Sequence, residues 1–210
     1  SGSQEDKWYE TTSLQAIKLL HTDKTYTAGS DSREVFYSTG RITAAGDAMT
    51  AAFVTERPQA KYTIITNDLA RYKELMAANP DKYVPLSDLS VSILYEGFLP
   101  CGFNVLTQKP NDSDTGFKTN PNLLPAVGAT DTEVAIGSDY VFVNGTTSSV
   151  TVTVVVTDKT GKIVSRVSGV TVDYQRNMLT TVRGDFLTAG VVNPGINIDT
   201  DWDGVYDVEF

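Results

Sequence analysis

The sequence predicts an all-β fold with a minor helical part: tandem antiparallel β-sandwich domains carrying one short helix. Three observations predict it. Apolar residues recur at a spacing of two through most of the chain, the period of a strand with one buried face. Turn-forming residues separate these runs at short intervals. A single stretch has the three-to-four spacing of an amphipathic helix. With 210 residues, 40% of them hydrophobic, the chain can build one large core or two small ones.

Taken in order, Phe36-Tyr37-Ser38-Thr39 leads a strand into Arg41-Ile42-Thr43, Ala45-Gly46-Asp47 turns the chain, and Met49 to Val54 returns. Arg57-Pro58 interrupts, because proline cannot donate to a ladder. Ala60 to Ile65 is a further strand, rich in β-branched residues. The helix spans about 68–78. Asn67 is placed to cap it, Asp68 suits the positive end of its dipole, and Leu69, Tyr72 and Met76 share one face. Asn79-Pro80 ends it, since the residue before proline avoids the α region. Leu89 to Phe98 and Phe103 to Leu106 are strands, and 108–130, rich in Asn, Pro and Gly, reads as a long irregular loop. Glu133 to Val143 is a strand followed by the hairpin signal Asn144-Gly145. Val150, Val152, Val154 and Val156 then share one face, Asp158 to Gly161 forms a second hairpin turn, and the alternation slips phase at Ser168-Gly169, the mark of a β-bulge. The three consecutive strands make an antiparallel meander. Pro80 and Pro85 put a boundary near residues 80–87, dividing a first sandwich over 1–84, lacking its first strands, from a second over 85–210.

Composition excludes several function classes. Seventeen basic residues against 26 acidic ones give a net charge of −9, with no basic patch to neutralise phosphates, so nucleic acid is not an expected partner. One cysteine, Cys101, and one histidine, His21, permit neither an intrachain disulfide nor a His- or Cys-rich zinc site. No apolar run approaches the roughly 18 residues of a membrane helix. The opening Ser1 to Asp6 reads as an internal piece or a tag scar, so a targeting segment is expected on a precursor.

Little catalytic chemistry is legible. His21 has no nucleophile elbow to serve, and Cys101 has no neighbouring histidine and reads as a small buried hydrophobe. No carboxylate pair stands out by spacing, and the chain is expected not to be an enzyme. The sharpest local motif is Asp199-Thr200-Asp201-Trp202-Asp203-Gly204. Alternate carboxylates followed by glycine match the opening of a calcium loop, but Phe210 stands where a bidentate Glu belongs and Glu209 comes one place early. Two readings stay open: a calcium site held by Asp199, Asp201 and Asp203, or a solvated acidic turn. No other cofactor is expected. Trp8, Trp202 and Tyr95 are aromatic rings suited either to stacking on sugars or to packing. Asn111-Asp112-Ser113 and Asn144-Gly145-Thr146 match the glycosylation triplet.

The most distinctive segment is Val172-Asp173-Tyr174-Gln175-Arg176-Asn177-Met178-Leu179-Thr180-Thr181-Val182-Arg183-Gly184-Asp185-Phe186-Leu187-Thr188. It resembles the C-terminal signature of the fimbrillin-like surface proteins of Bacteroidales, in which a valine-rich strand ends in Gln-Arg-Asn, a threonine-led strand follows, and an acidic Ile-Asp tail closes the chain. Glu34 to Thr39, Glu56 to Lys61, and Gly97-Phe98 to Phe103-Asn104-Val105-Leu106-Thr107 agree with that family in order. Ser38, Arg183 to Phe186 and Pro100-Cys101-Gly102 depart from it. The resemblance implies tandem sandwiches of fimbrillin type, export as a lipoprotein, and display on the extracellular face of the outer membrane through a lipid anchor on a precursor segment. It implies pilin-like subunits, or host or bacterial surface ligands, as partners, engaged by strand addition. On this reading Arg176-Asn177 is punctuation between two strands, with Arg176 able to pair with an acidic neighbour. Ile196 and Ile198 share one face of the tail and Val208 and Phe210 another, so residues 196–210 form either a strand donated to a partner or a last edge strand closing the chain's own sheet.

Overall fold

A computed structural model describes residues 7–40, 42, 51–145 and 147–189. Among them the chain is an all-β sandwich with one α-helix. The N-terminal segment carries β1 (Tyr9–Glu10), β2 (Ile17–Leu19), β3 (Thr25–Tyr26) and a 3-10 turn at Asp31–Arg33. β4 (Gln59–Thr66) precedes α1 (Leu69–Ala78). After it come β5 (Leu89–Tyr95), β6 (Leu99–Asn104), β7 (Lys109–Asp114), β8 (Lys118–Thr119) and β9 (Asn122–Leu123). The last four are β10 (Val134–Phe142), β11 (Thr147–Asp158), β12 (Ile163–Gln175) and β13 (Leu179–Gly184).

These strands form three sheets, ordered β10-β4-β13, β12-β11-β5-β8-β3 with β9 also on β5, and β1-β2-β6-β7. β13 and β4 lie across from β12, and β10 across from β5 and β6. One continuous core fills the space between, drawing Tyr62 and Ile64 from β4, Val91 and Ile93 from β5, and Val152, Val154 and Val156 from β11. Phe103 stacks on Phe142 at 5.4 Å and Tyr9 tilts on the same ring at 5.6 Å, joining the four-stranded sheet to β10.

Local sequence accounts for the best-defined pieces. β11 and β12 pair antiparallel through the turn at Asp158 to Gly161, where Gly161 takes φ 84°, a conformation that costs glycine nothing. The register slips between Val152 and Val154, so Ser168 and Gly169 together oppose Thr153, the expected bulge. Glu96 occupies the amide that the bulge sets free: its carboxylate accepts from the Gly169 N–H at 3.0 Å and from the Thr153 hydroxyl. Those bonds, the Thr153 hydroxyl first, hold the Glu96 carboxyl below its ordinary range.

The helix falls where its periodicity places it, with Leu69 and Tyr72 fully buried and Met76 packed against the core. Its ends differ from expectation. Asp68, not Asn67, is the N-cap residue, and it makes no side-chain bond to the helix. Its carboxylate turns the other way and collects Thr66 Oγ1 (2.5 Å), the N–H groups of Leu187 (3.1 Å) and Thr188 (2.7 Å), and Thr188 Oγ1 (2.8 Å). The acid that suits the dipole therefore fastens the segment after β13 to the start of α1.

Other expectations are corrected by pairing. Asn144-Gly145 is a turn but not a hairpin, because β10 pairs with β4 and β11 with β5 and β12. The meander therefore reduces to the β11–β12 hairpin. β13 runs parallel to β4, so the sandwich is mixed rather than purely antiparallel. The irregular loop at 108–130 contains β7, β8 and β9. Phe36 to Thr39 contributes only a bridge from Tyr37 to Glu56, and Ala51 to Val54 form no strand. The expected boundary near 80–87 does not separate the sheets: β4, from the first segment, is the central strand between β10 and β13, both from the second.

Candidate functional site

Among the short connections that carry the chain from one sheet to another are Glu96-Gly97-Phe98 after β5, Asn144-Gly145 after β10, and Arg176-Asn177 after β12. The last of these is built as structure. Asn177 sits at φ 63°, a region asparagine tolerates, and its N–H donates to Gln59 O at 2.9 Å. Its side-chain oxygen accepts from Arg57 at 2.7 Å. Arg176 donates to the backbone carbonyls of Gln108 and Val143, each at 3.0 Å, and not to the acidic neighbour that an ion pair would need. The pair Arg176-Asn177 thus ties three loops together where two sheets meet.

The strongest electrostatic feature is enclosed. Asp139 on β10 is fully buried and accepts from the Arg33 guanidinium, Tyr26 OH (2.5 Å), Tyr95 OH (2.7 Å) and the Tyr140 N–H (2.8 Å). Tyr62 OH meets Tyr95 OH at 2.7 Å, and the Arg33 cation lies 4.8 Å from the Tyr26 ring centre. Burial, and after it the Asp139 charge, raises the phenols of Tyr26, Tyr62 and Tyr95 well above their ordinary value. Burial opposes the Arg33 cation too, but Asp139 and the tyrosine oxygens outweigh it and hold the guanidinium protonated. Apart from the Arg33 Nε, which lacks a hydrogen-bond partner, these groups satisfy one another inside the core, and the network clasps the N-terminal segment to the sandwich. The sequence signal for it was an Asp in a run of apolar β10 residues; nothing local marked Arg33.

What remains open to partners are strand edges and the grooves beside them. Among the described residues, no strand pairs with the outer side of β10. The Lys61 N–H faces β13, donating to Met178 O at 3.0 Å, so by alternation Ser138, two residues before Lys61's antiparallel partner Tyr140, directs its backbone groups outward, while the Tyr140 N–H is taken by the Asp139 carboxylate. A groove of about 250 Å³ follows this edge, lined by Ala28, Gly29, Asn122, Leu123, Ile136 and Ser138. Leu123 is 70% exposed at its rim. A second, larger depression of about 600 Å³ lies where Phe98 and Pro100 meet Asp112 of β7, the Asn144 turn and Ser148-Ser149 of β11.

The other sequence-derived candidates are distributed as follows. Asp199, Asp201 and Asp203, with Trp202, and the tail residues Ile196, Ile198, Val208 and Phe210 lie outside the described residues. Among the described residues no three His, Cys, Asp or Glu side chains group as metal ligands, and no helix is long and apolar enough to cross a membrane. His21 stacks edge-on against Phe117 at 5.1 Å and accepts the Lys24 N–H, a turn role. Trp8 is half-buried and donates to Ser32 at 3.0 Å. Tyr95 is not an exposed ring but part of the buried network.

Cys101 is buried, and burial followed by the charges of Asp112 and Asp114 pushes its thiol up to about 11. At neutral pH the thiolate, the reactive form, is then roughly one part in ten thousand. Iodoacetamide should therefore alkylate the native protein far more slowly than the urea-unfolded one at pH 7.5, measured by mass spectrometry. Equal rates would show that the site is not enclosed.

A family model described as a family of unknown function (DUF6562) matches residues 1–209. The chain belongs to that family. Among curated proteins none matches it. Similar solved structures include a "putative adhesin" from Bacteroides ovatus, 10% identical with a TM-score of 0.41 over 94% of this chain and 67% of that one. A "putative cell adhesion protein" from the same species is 13% identical with a TM-score of 0.38, over 75% of this chain and 49% of that one. Another from Bacteroides uniformis is 14% identical with a TM-score of 0.31, over 71% and 53% of the two chains. This member of the family thus spans about half the length of the second and third.

Proposed function

We propose that this chain is a surface-displayed, fimbrillin-like structural or adhesive subunit that works by strand addition and protein–protein contact and transforms no substrate. The observation that carries the reading is the outer edge of β10 with the groove beside it. A strand edge offers a row of donors and acceptors, and a groove alongside offers seats for alternate side chains, which is what an added strand requires. The ordered agreement of residues 34–39, 56–61, 97–107 and 172–188 with the fimbrillin-like signature supports the same reading, as does the use of Arg33, Asp139 and Arg176 to hold loops rather than to line a cleft. The occupant we assign to the edge is the tail of a second subunit, residues 196–210, whose Ile196 and Ile198 share a face. Export through a lipid anchor to the outer membrane belongs to this proposal.

Disulfide trapping tests it. Ser138→Cys combined with Ile198→Cys, oxidised under mild conditions, should give a covalent ladder of oligomers on non-reducing gels, and each single variant should stop at the dimer. An intrachain disulfide, or no disulfide in the double variant, would overturn strand exchange through β10.

A further inference from the structure

We propose that the depression between Phe98, β7 and the start of β11 binds a neutral carbohydrate, with the Phe98 ring as a stacking platform and Asp112 and Ser149 as hydrogen-bonding groups. This deepens the adhesive reading above and rests on it.

Three observations converge on this place. Phe98 is 69% exposed on a three-residue reversal between β5 and β6, held by the strand on either side. Leaving such a ring in water forgoes about 1.5–3 kcal/mol of burial. Pro100 and Pro110 extend its apolar surface along the depression. The apolar C–H face of a pyranose fits a platform of this kind.

The polar lining is uncommitted. Asp112, Ser113 and Ser149 make no side-chain hydrogen bond among the described residues. β11 supplies Ser148 and Ser149 because its first residues have no β5 partner; that ladder begins at Val152 opposite Tyr95. The same two serines line an adjoining groove of about 540 Å³ with Thr147, Asp173 and Tyr174, so the two grooves share a wall.

Charge selects the ligand class. The lining carries Asp112 and Asp173 and no Lys or Arg, on a chain of net charge −9, so sialylated, sulfated or phosphorylated ligands are repelled. An added strand fits here less well than a sugar. Pro110 removes a donor from β7, and the apolar surface is one continuous strip of Phe98, Pro100 and Pro110 beside hydroxyls and a carboxylate, not a row of seats for alternate side chains.

The test is a glycan array, probed with the full chain, carrying neutral hexose and N-acetylhexosamine oligosaccharides beside sialylated and sulfated ones. Neutral glycans should be retained, and Phe98→Ala should weaken calorimetric affinity for the best of them about tenfold with no change in Tm. Ser149→Ala should also weaken binding with no change in Tm, because the Ser149 hydroxyl holds nothing else among the described residues. Retention of no neutral glycan, retention of acidic glycans alone, or wild-type affinity in Phe98→Ala or in Ser149→Ala would each overturn the assignment. Failure here leaves strand exchange at β10 standing, since the covalent ladder is measured without glycan.

Discussion

Asp139→Asn should cost about 3–5 kcal/mol of folding stability, the largest loss expected from a single polar substitution in this protein. The reason lies in what the change leaves behind. Arg33 is 1% exposed and its guanidinium has Asp139 as its ion-pair partner; besides the Tyr9 and Tyr26 rings it has one further hydrogen bond among the described residues, to Tyr9 OH at 3.5 Å, and its Nε already lacks a partner. Neutralising Asp139 strands a buried cation. The reverse substitution, Arg33→Met, should cost less, because Asp139 keeps three donors: Tyr26 OH, Tyr95 OH and the Tyr140 N–H. Urea unfolding of the two single variants measures the asymmetry. If Arg33→Met proves as costly as Asp139→Asn, the residual tyrosine bonds do not sustain the carboxylate and the network is a simple ion pair.

Asp68→Ala should cost about 3–4 kcal/mol, by exposing the segment after β13 to loss of its anchor. The carboxylate accepts from two backbone N–H groups and two hydroxyls, and all of these donors are buried. Alanine leaves the buried Leu187 and Thr188 amides without their acceptor. Asp68→Asn retains one acceptor oxygen and should recover about half the loss. Hydrogen exchange locates the effect: the amides of Leu187 and Thr188 should lose protection in Asp68→Ala while those of β11 and β12 keep theirs. Uniform loss of protection across both sheets would mean that Asp68 holds the whole fold rather than one segment.

Both predictions concern residues whose roles could not be read along the chain. Asp68 sits where helix rules want an acid, and those rules assign it to the dipole. Its actual partners, Leu187 and Thr188, come from beyond β13. Arg33 and Asp139 are likewise far apart in sequence, and only the packing of the Asp31–Arg33 turn against β10 brings them together. The Arg176-Asn177 pair was legible as punctuation, because a change of periodicity surrounds it, but the carbonyls it gathers were not. The polar depression at Phe98 was invisible for a similar reason: its residues belong to four separate stretches, and an exposed Phe looks the same in sequence as a buried one.

The amino-acid order by itself determined what depends on near neighbours. It set the alternating strands, the helix at 69–78 with Leu69 and Tyr72 inward, the β11–β12 hairpin at Asp158 to Gly161 and the bulge at Ser168-Gly169. Side-chain period and turn chemistry act over a few residues, so a one-dimensional reading captures them. Tertiary structure decided which edges meet: β13 beside β4 in parallel, β10 and β11 in different sheets, and β4 crossing the expected boundary to become a central strand. A strand with one apolar face is satisfied by any neighbour that completes its ladder and covers that face. Local pattern therefore leaves the partner open, and only the joint packing of all the faces into one core selects it.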